Sequence, residues 1–198
     1  MSIIFFLLTA MLSLGHFSVA PVEPVERLGV KGPLSFNGNS FQLAWTSKPS
    51  ATYYIQEYLP KGESADRFNQ MMSIFLLAEN VSVKDAVQQK TSELTARKQT
   101  DPTCNFQVSE SPDKKEYLLD FLMGAKSQGA AEIQEFNIYR YRMVDLGNGK
   151  QGLLLYAYSK RAYGDAINPF LKSLKEERKK MLNEMVSSKL PVIKLSGS

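Results

Sequence analysis

The stretch Glu132–Tyr163 constrains the fold more than any other part of the sequence. It reads EIQEFNIYRYRMVDLGNGKQGLLLYAYSKRAY, two runs rich in β-branched and aromatic residues that meet at Gly147-Asn148-Gly149. Such runs joined by Asn and Gly are typical of a β-hairpin, because these two residues tolerate the left-handed backbone that a tight turn requires. The sequence therefore predicts a long antiparallel hairpin around which the rest of the chain is arranged.

The glycines of this hairpin also match a nucleotide-binding pattern. Gly147–Gly152 reads GNGKQG, which fits G-x-G-x-x-G letter for letter. In a dinucleotide site the pattern must open a helix, because the pyrophosphate lies on the amino end of that helix. Here a strand-forming run follows instead. We interpret the glycines as turn residues and expect neither a nucleotide nor any other cofactor.

The length of the turn decides which side chains share a face of the hairpin. A two-residue turn would place Arg140 and Arg142 beside leucines of the second strand. A three-residue loop, with Gly149 left-handed, shifts the register by one and places both arginines on the face that carries Tyr156 and Tyr158. Burying two guanidinium groups without partners costs several kcal/mol. The sequence therefore predicts the three-residue loop.

This register creates a tyrosine–arginine strip, which we define as Arg140, Arg142, Tyr156 and Tyr158. One interpretation is an ordinary solvated sheet face, held by cation–π contacts between the strands. The other is a binding surface, because tyrosine and arginine are the residues that most often anchor protein interfaces. We take the strip as the candidate binding site.

The amino-terminal sequence is typical of an exported protein. Residues 1–20 contain an uncharged apolar run followed by Ser18-Val19-Ala20, which supplies the small residues of a signal-peptidase site. An uncleaved anchor is the alternative, although the run is short for a membrane span. We expect a cleaved signal at 1–20, a linker or irregular lead-in at 21–33, and a periplasmic or secreted domain at 34–195 without a membrane span.

Histidine and cysteine usage excludes several kinds of chemistry. His16 is the only histidine and lies in the predicted signal, and Cys104 is the only cysteine. Without histidine, Ser-His-Asp and Cys-His catalysis and zinc sites are excluded, so we expect no metal. One cysteine cannot form an intrachain disulfide, and Cys104 fits a packed residue at a strand entry. The net charge of +4 is too small to indicate nucleic-acid binding.

The remaining segments predict an α+β fold, a single antiparallel sheet packed against helices. Ser64 can cap a helix in which Phe68, Met71, Met72 and Phe75 share one face. Three further groups of segments complete the pattern. They are two hairpins (41–59 and 105–123), a helix from Ser82 to about Lys98, and a long C-terminal helix beginning near Pro169.

The order of these elements resembles the PsbP-like group of small α+β domains. The resemblance covers most of residues 34–195 and includes EYLPKGES, which leads from a strand toward the first predicted helix, and the long closing helix. It implies a non-enzymatic binding or assembly factor and assigns no functional residue. A cystatin-like or nuclear-transport-factor-like fold is the structural alternative.

Two functions agree with these observations. The first is an exported, non-catalytic binding or accessory module that contacts a protein partner. The second is a carboxylate-based hydrolase of the cell envelope, for which Glu57, Glu116 and Asp120 are available. No spacing in the sequence selects a pair among these carboxylates, so we assign no catalytic residue.

Overall fold

A computed structural model describes residues 23–125 and 132–195 of the 198-residue chain. Within these residues the chain forms one antiparallel sheet of eight strands, curled into a half-barrel, with two α-helices. The sheet order is β1-β2-β3-β4-β8-β7-β6-β5. The elements are β1 (Leu34–Phe36), β2 (Asn39–Ser47), β3 (Tyr53–Leu59), β4 (Gln70–Leu77), α1 (Val83–Arg97), β5 (Asn105–Glu110), β6 (Glu116–Ala125), β7 (Ile133–Gly147), β8 (Lys150–Tyr163) and α2 (Ile167–Ser187). The predicted signal peptide lies outside the described residues.

The predicted α+β class is wrong, because the fold is β-rich, with 44% strand and 23% helix. The main cause is the helix expected after Ser64, which is instead the central strand β4 between β3 and β8. In β4, Met72, Ile74 and Leu76 are buried on one face of the sheet. A strand buried on both faces is apolar almost throughout, and such a run also fits the apolar face of a helix. Consequently EYLPKGES leads into a strand, and the PsbP-like relationship stays a prediction.

The register of the central hairpin agrees with the predicted faces, although the turn does not. Arg140 lies opposite Tyr156, as the predicted register requires. The turn itself has two residues, Asn148 and Gly149, both with positive φ (52° and 71°). A β-bulge at Leu146 adds the extra residue that shifts the register by one. The three-residue loop is therefore wrong, and the bulge has the same effect on the faces.

Gly152, the last glycine of the G-x-G-x-x-G pattern, is required for close packing of β8. A Cβ atom at this position would lie 2.9 Å from Leu146 Cδ1 and 3.0 Å from the Leu77 carbonyl oxygen. The glycine thus admits both the bulge and the neighbouring strand β4. The G-x-G-x-x-G pattern is therefore explained by the backbone conformation of the turn at Gly147 and Gly149 and by close packing at Gly152.

The two helices cover opposite faces of the sheet. The larger core lies beneath α2 and includes Phe170, Leu174, Met181 and Met185 of that helix. A second core lies between α1 and strands β5–β8. Within the predicted lead-in, the chain packs into the larger core from Leu28, whose carbonyl accepts a 2.8 Å hydrogen bond from the Lys194 N–H.

Candidate functional site

The two tyrosines of the tyrosine–arginine strip lie in the core beneath α2. Tyr156 is 3% exposed and Tyr158 is fully buried. The Tyr158 hydroxyl donates a 2.7 Å hydrogen bond to Gln70 Oε1, and its ring packs against Phe36 with centroids 4.5 Å apart. Burial raises the pKa of Tyr156 to about 12. Neither ring is available to a partner.

Arg140 fastens α2 to the sheet. Its Nε donates to Glu116 Oε2 at 2.6 Å, and its Nη1 donates to the carbonyl oxygens of Met185 and Ser188, each at 2.8 Å. These carbonyls belong to the last turn of α2 and to Ser188, the residue that follows it, where main-chain acceptors lack partners within the helix. Arg142 pairs with the other Glu116 oxygen at 3.0 Å, but its side chain is 48% exposed. The predicted strip is therefore not an exposed surface, and only Arg142 can be reached from outside.

Two of the three carboxylates considered for hydrolysis also hold α2 in place. Glu116 binds both strip arginines. Asp120 accepts two hydrogen bonds from Arg178 of α2, one from Nε at 2.7 Å and one from Nη2 at 2.8 Å. Both carboxylates have structural partners within the chain, which leaves Glu57 as the remaining candidate.

Glu57 lies on the opposite face of the sheet, in a polar region of the strands. Its register partners on the flanking strands are Trp45 and Ser73. The side chain is half-buried, and burial raises its pKa to about 7, with Glu135 adding to the rise and Arg161 opposing it. At neutral pH this carboxyl is therefore present in both protonation states.

Glu135 is the second carboxylate near Glu57, and each of its two oxygens has a hydrogen-bond donor. Arg161 Nε donates to Oε2 at 2.7 Å, and Asn137 Nδ2 donates to Oε1 at 3.0 Å. Ser159 Oγ in turn donates to Asn137 Oδ1 at 2.6 Å. The polar cluster, which we define as Glu57, Glu135, Asn137, Ser159 and Arg161, thus combines a carboxylate paired with an arginine and a carboxyl whose pKa is raised by burial.

Glu57 was one of three candidate carboxylates in the sequence and was not distinguished from the others, and Glu135 was not among them. One signal for Glu135 was present in the sequence. It is separated from Tyr139 and Tyr141 by even numbers of residues, so the three side chains lie on the same face of β7. Tyr53 and Tyr139 complete the surroundings of the cluster. Burial, with a smaller contribution from Glu57, raises the pKa of Tyr53 to about 12. Burial likewise raises the pKa of Tyr139 above its ordinary value.

Two shallow depressions in the described part of the molecule lie elsewhere. One, of about 590 Å³, runs between α1 and β5, where Thr91, Thr95 and Gln99 form a wall and Phe106 and Val108 form the floor. The other, of about 300 Å³, lies at the amino end of α1. Neither is lined by a pair of carboxylates.

Strand β5 is the last strand of the sheet, and its outer edge is unpaired within the described residues. The Ser111 N–H donates to the Glu116 carbonyl at 2.9 Å, in the same register as the β5–β6 pairs. Every second residue before Ser111, namely Ser109, Gln107 and Asn105, is therefore hydrogen-bonded to β6. Because these positions alternate, the backbone groups of Phe106, Val108 and Glu110 point away from β6. The Phe106 N–H accordingly donates to the neighbouring Asn105 Oδ1 at 3.0 Å. The free edge therefore presents main-chain donors and acceptors at alternate residues.

This edge lacks the features that usually prevent pairing with another strand. Its sequence NFQVSE contains neither Lys nor Pro, and its pairing with β6 has no bulge. At the centre of the strand, Val108 is 38% exposed. We define the β5 edge as Asn105–Glu110 together with the adjoining groove of α1.

Cys104 is buried just before β5. Its Sγ lies 3.5 Å from the Leu94 carbonyl oxygen of α1, and burial raises the pKa of the thiol. These observations agree with the packed residue that the sequence indicated.

Across residues 23–125 and 132–195 there is no group of three or more acidic, cysteine or histidine side chains arranged to hold a metal ion. In the same ranges, neither helix combines the length and the apolar character needed to cross a membrane.

A protein-family model matches residues 28–190. The chain belongs to this family. The matched range begins at Leu28, the first buried residue of the core, and ends just after α2, so it includes the whole sheet and both helices. No curated protein and no solved structure matches the chain.

Proposed function

We propose that this protein is an exported, non-catalytic binding or accessory module that acts through contact with another protein at the β5 edge. The observation that carries the proposal is the row of outward main-chain groups at Phe106, Val108 and Glu110 beside the groove of α1. Addition of an extended segment to an exposed sheet edge is a common mode of protein recognition.

The two parts of the edge have separate tasks in this mode. Main-chain hydrogen bonds from β5 supply affinity that does not depend on the partner's sequence. The groove supplies selectivity, because Phe106 and Val108 offer apolar area while Thr95 and Gln99 offer hydrogen bonds. An extended polypeptide with alternating apolar and polar side chains fits both requirements.

The proposal can be tested with two substitutions at one position. Val108→Pro removes an outward N–H, and proline is tolerated on an edge strand where that N–H faces solvent. Val108→Thr keeps the N–H and a β-branched side chain. The wild type and both variants are used to capture proteins from the native envelope fraction, and the captured proteins are quantified by mass spectrometry. We expect Val108→Pro to lose most of the proteins that the wild type captures. Val108→Thr should retain most of them. Equal capture by both variants would remove the β5 edge from the proposal.

A carboxylate-based hydrolase is the second candidate, and the polar cluster is the observation that favours it. A carboxyl with a pKa of about 7 can donate a proton at neutral pH, and Glu135 places a second carboxylate nearby. Neither of the two shallow depressions described above is lined by Glu57 or Glu135, which favours the binding module.

The hydrolase would release new reducing ends from isolated cell-envelope polysaccharide. On this hypothesis Glu57→Gln lowers the rate by at least about 100-fold, because the amide cannot exchange the proton. Glu176→Gln, at an exposed position on α2, serves as the control. Failure of the wild-type protein to release reducing ends between pH 5 and 8 would end this candidate.

A further inference from the structure

The β5 edge specifies what an incoming strand must carry. Antiparallel pairing places a residue of that strand directly opposite each of Phe106, Val108 and Glu110. The Lys98 ammonium lies over the Phe106 ring, 4.5 Å from its centroid. A carboxylate opposite Phe106 would therefore reach a cation, and an apolar residue opposite Val108 would cover exposed area.

Strand β5 itself carries this pattern. In a two-fold antiparallel pair centred on Val108, this residue lies opposite the same residue of the second copy. Phe106 then lies opposite Glu110 of the second copy, close to Lys98. Each of the three pairs joins residues whose N–H and C=O both point outward, so each makes two main-chain hydrogen bonds once the Phe106 N–H exchanges Asn105 Oδ1 for a carbonyl of the second copy. Tyr117 donates to Glu110 Oε1, which leaves Oε2 for the ammonium.

We infer that the protein self-associates as a symmetric dimer through antiparallel pairing of β5 with β5 of a second copy, with Lys98 of each copy beside Glu110 of the other. The inference rests on the contact surface of the proposed function and assigns its partner. A two-fold interface of this kind is closed, because the same edge serves both copies.

The neighbouring registers are less favourable. One shift places Phe106 opposite Val108 of the second copy. Glu110 then lies opposite buried Cys104 of the second copy, and the Lys98 ammonium is no longer beside a Glu110 carboxylate. A shift the other way sets Val108 against Glu110, an apolar residue against a charge. The charge pattern therefore selects the pairing centred on Val108. At the opposite edge of the sheet, β1 has three residues and offers a much shorter ladder.

The molar mass of the protein in solution tests the inference directly. Light scattering and sedimentation equilibrium should give about twice the monomer mass, falling toward the monomer on dilution. Val108→Pro removes one outward N–H in each copy and should weaken the dimer about thirty-fold, as expected for two hydrogen bonds. Val108→Thr should keep the wild-type dissociation constant within a few-fold.

A charge exchange tests the register. Lys98→Glu and Glu110→Lys should each weaken the dimer, and the double variant should restore it, because the ion pair is rebuilt with its signs reversed. Melting temperatures of all variants show whether each remains folded. Restoration in the double variant cannot arise from a general loss of stability.

Cross-linking gives a second measure of the register. In a Cys104→Ser background, Val108→Cys places two thiols across the two-fold axis with Cα atoms about 5.5 Å apart, within disulfide range. Ser109→Cys, displaced along the strand, serves as the control. We expect an intermolecular disulfide in oxidising buffer for the first variant only.

The outcomes separate the inference from the proposed function. A wild-type protein that stays monomeric up to about 100 µM overturns the dimer, since an interface with a micromolar dissociation constant is largely associated at that concentration. If Val108→Pro still abolishes capture from the envelope, the proposed function stands without the dimer. A dimer that resists Val108→Pro and forms no disulfide at position 108 also overturns the inference, because its contact lies elsewhere.

Discussion

Replacing Arg140 by Ala is expected to lower the free energy of unfolding by about 3 kcal/mol, the cost of breaking a largely buried ion pair on one side. The Arg140 side chain is 11% exposed and that of Glu116 is 20% exposed. The substitution removes the more buried of the two arginine charges that pair with Glu116 and leaves the Met185 and Ser188 carbonyls without their donor. Urea denaturation at pH 7, followed by circular dichroism, measures the change.

Arg142→Ala is the matched control for Arg140→Ala. Arg142 contacts the same carboxylate from the same strand, but its side chain is 48% exposed. An exposed ion pair contributes little, so we expect a change within about 0.5 kcal/mol. Equal losses in the two variants would contradict the view that Arg140 acts by fastening α2, and would point to a general effect of charge on β7.

Replacing Glu57 by Gln is expected to stabilise the protein at alkaline pH by about 2 kcal/mol, allowing for the partial exposure of the side chain. Burial raises the pKa of Glu57 from its ordinary value of 4.5 to about 7. The folded chain therefore keeps a proton that the unfolded chain has already lost. Protonation favours folding, so this contribution is complete below about pH 4.5 and disappears as the pH rises to about 7.

The pH dependence identifies Glu57 as the source of this effect. The wild-type protein should lose stability relative to Glu57→Gln between pH 5 and 8, as measured by urea denaturation at each pH. Glu176→Gln should follow the wild type throughout, because that carboxyl is exposed. Parallel curves for the wild type and Glu57→Gln would mean that Glu57 is ionised normally in the folded protein. The pKa depends on the groups that face Glu57, which include Arg161, Glu135 and Tyr53.

The polar cluster and the buried strip show the same limit of sequence analysis. Alternation along β7 and along β8 indicated which residues share a face within each strand, and the predicted register correctly set Arg140 opposite Tyr156. Alternation cannot tell which face a distant helix will cover. The strip lies beneath α2, whereas Glu57 and Glu135 are on the other face of the sheet. Their proximity depends on strands β3, β4, β8 and β7 being neighbours, which is a property of the whole sheet.

The sequence by itself determined the elements whose signals are local. The central hairpin, the β5–β6 hairpin after Cys104, helix α1 capped by Ser82 and the long helix α2 all follow from turn residues, caps and periodicity. Histidine usage likewise predicts that Ser-His-Asp and Cys-His catalysis are absent, because His16 is the only histidine and lies in the predicted signal.

Tertiary structure alone decided the identity of β4, the bulge at Leu146, the face covered by α2 and the strand left at the edge of the sheet. An apolar run such as MMSIFLL satisfies a helix or a strand equally well in isolation, and only its burial between β3 and β8 selects the strand. The same long-range pairing leaves β5 without a neighbour within the described residues. Local signals fix what a segment can form, and the burial of distant segments against one another fixes which surface remains free for function.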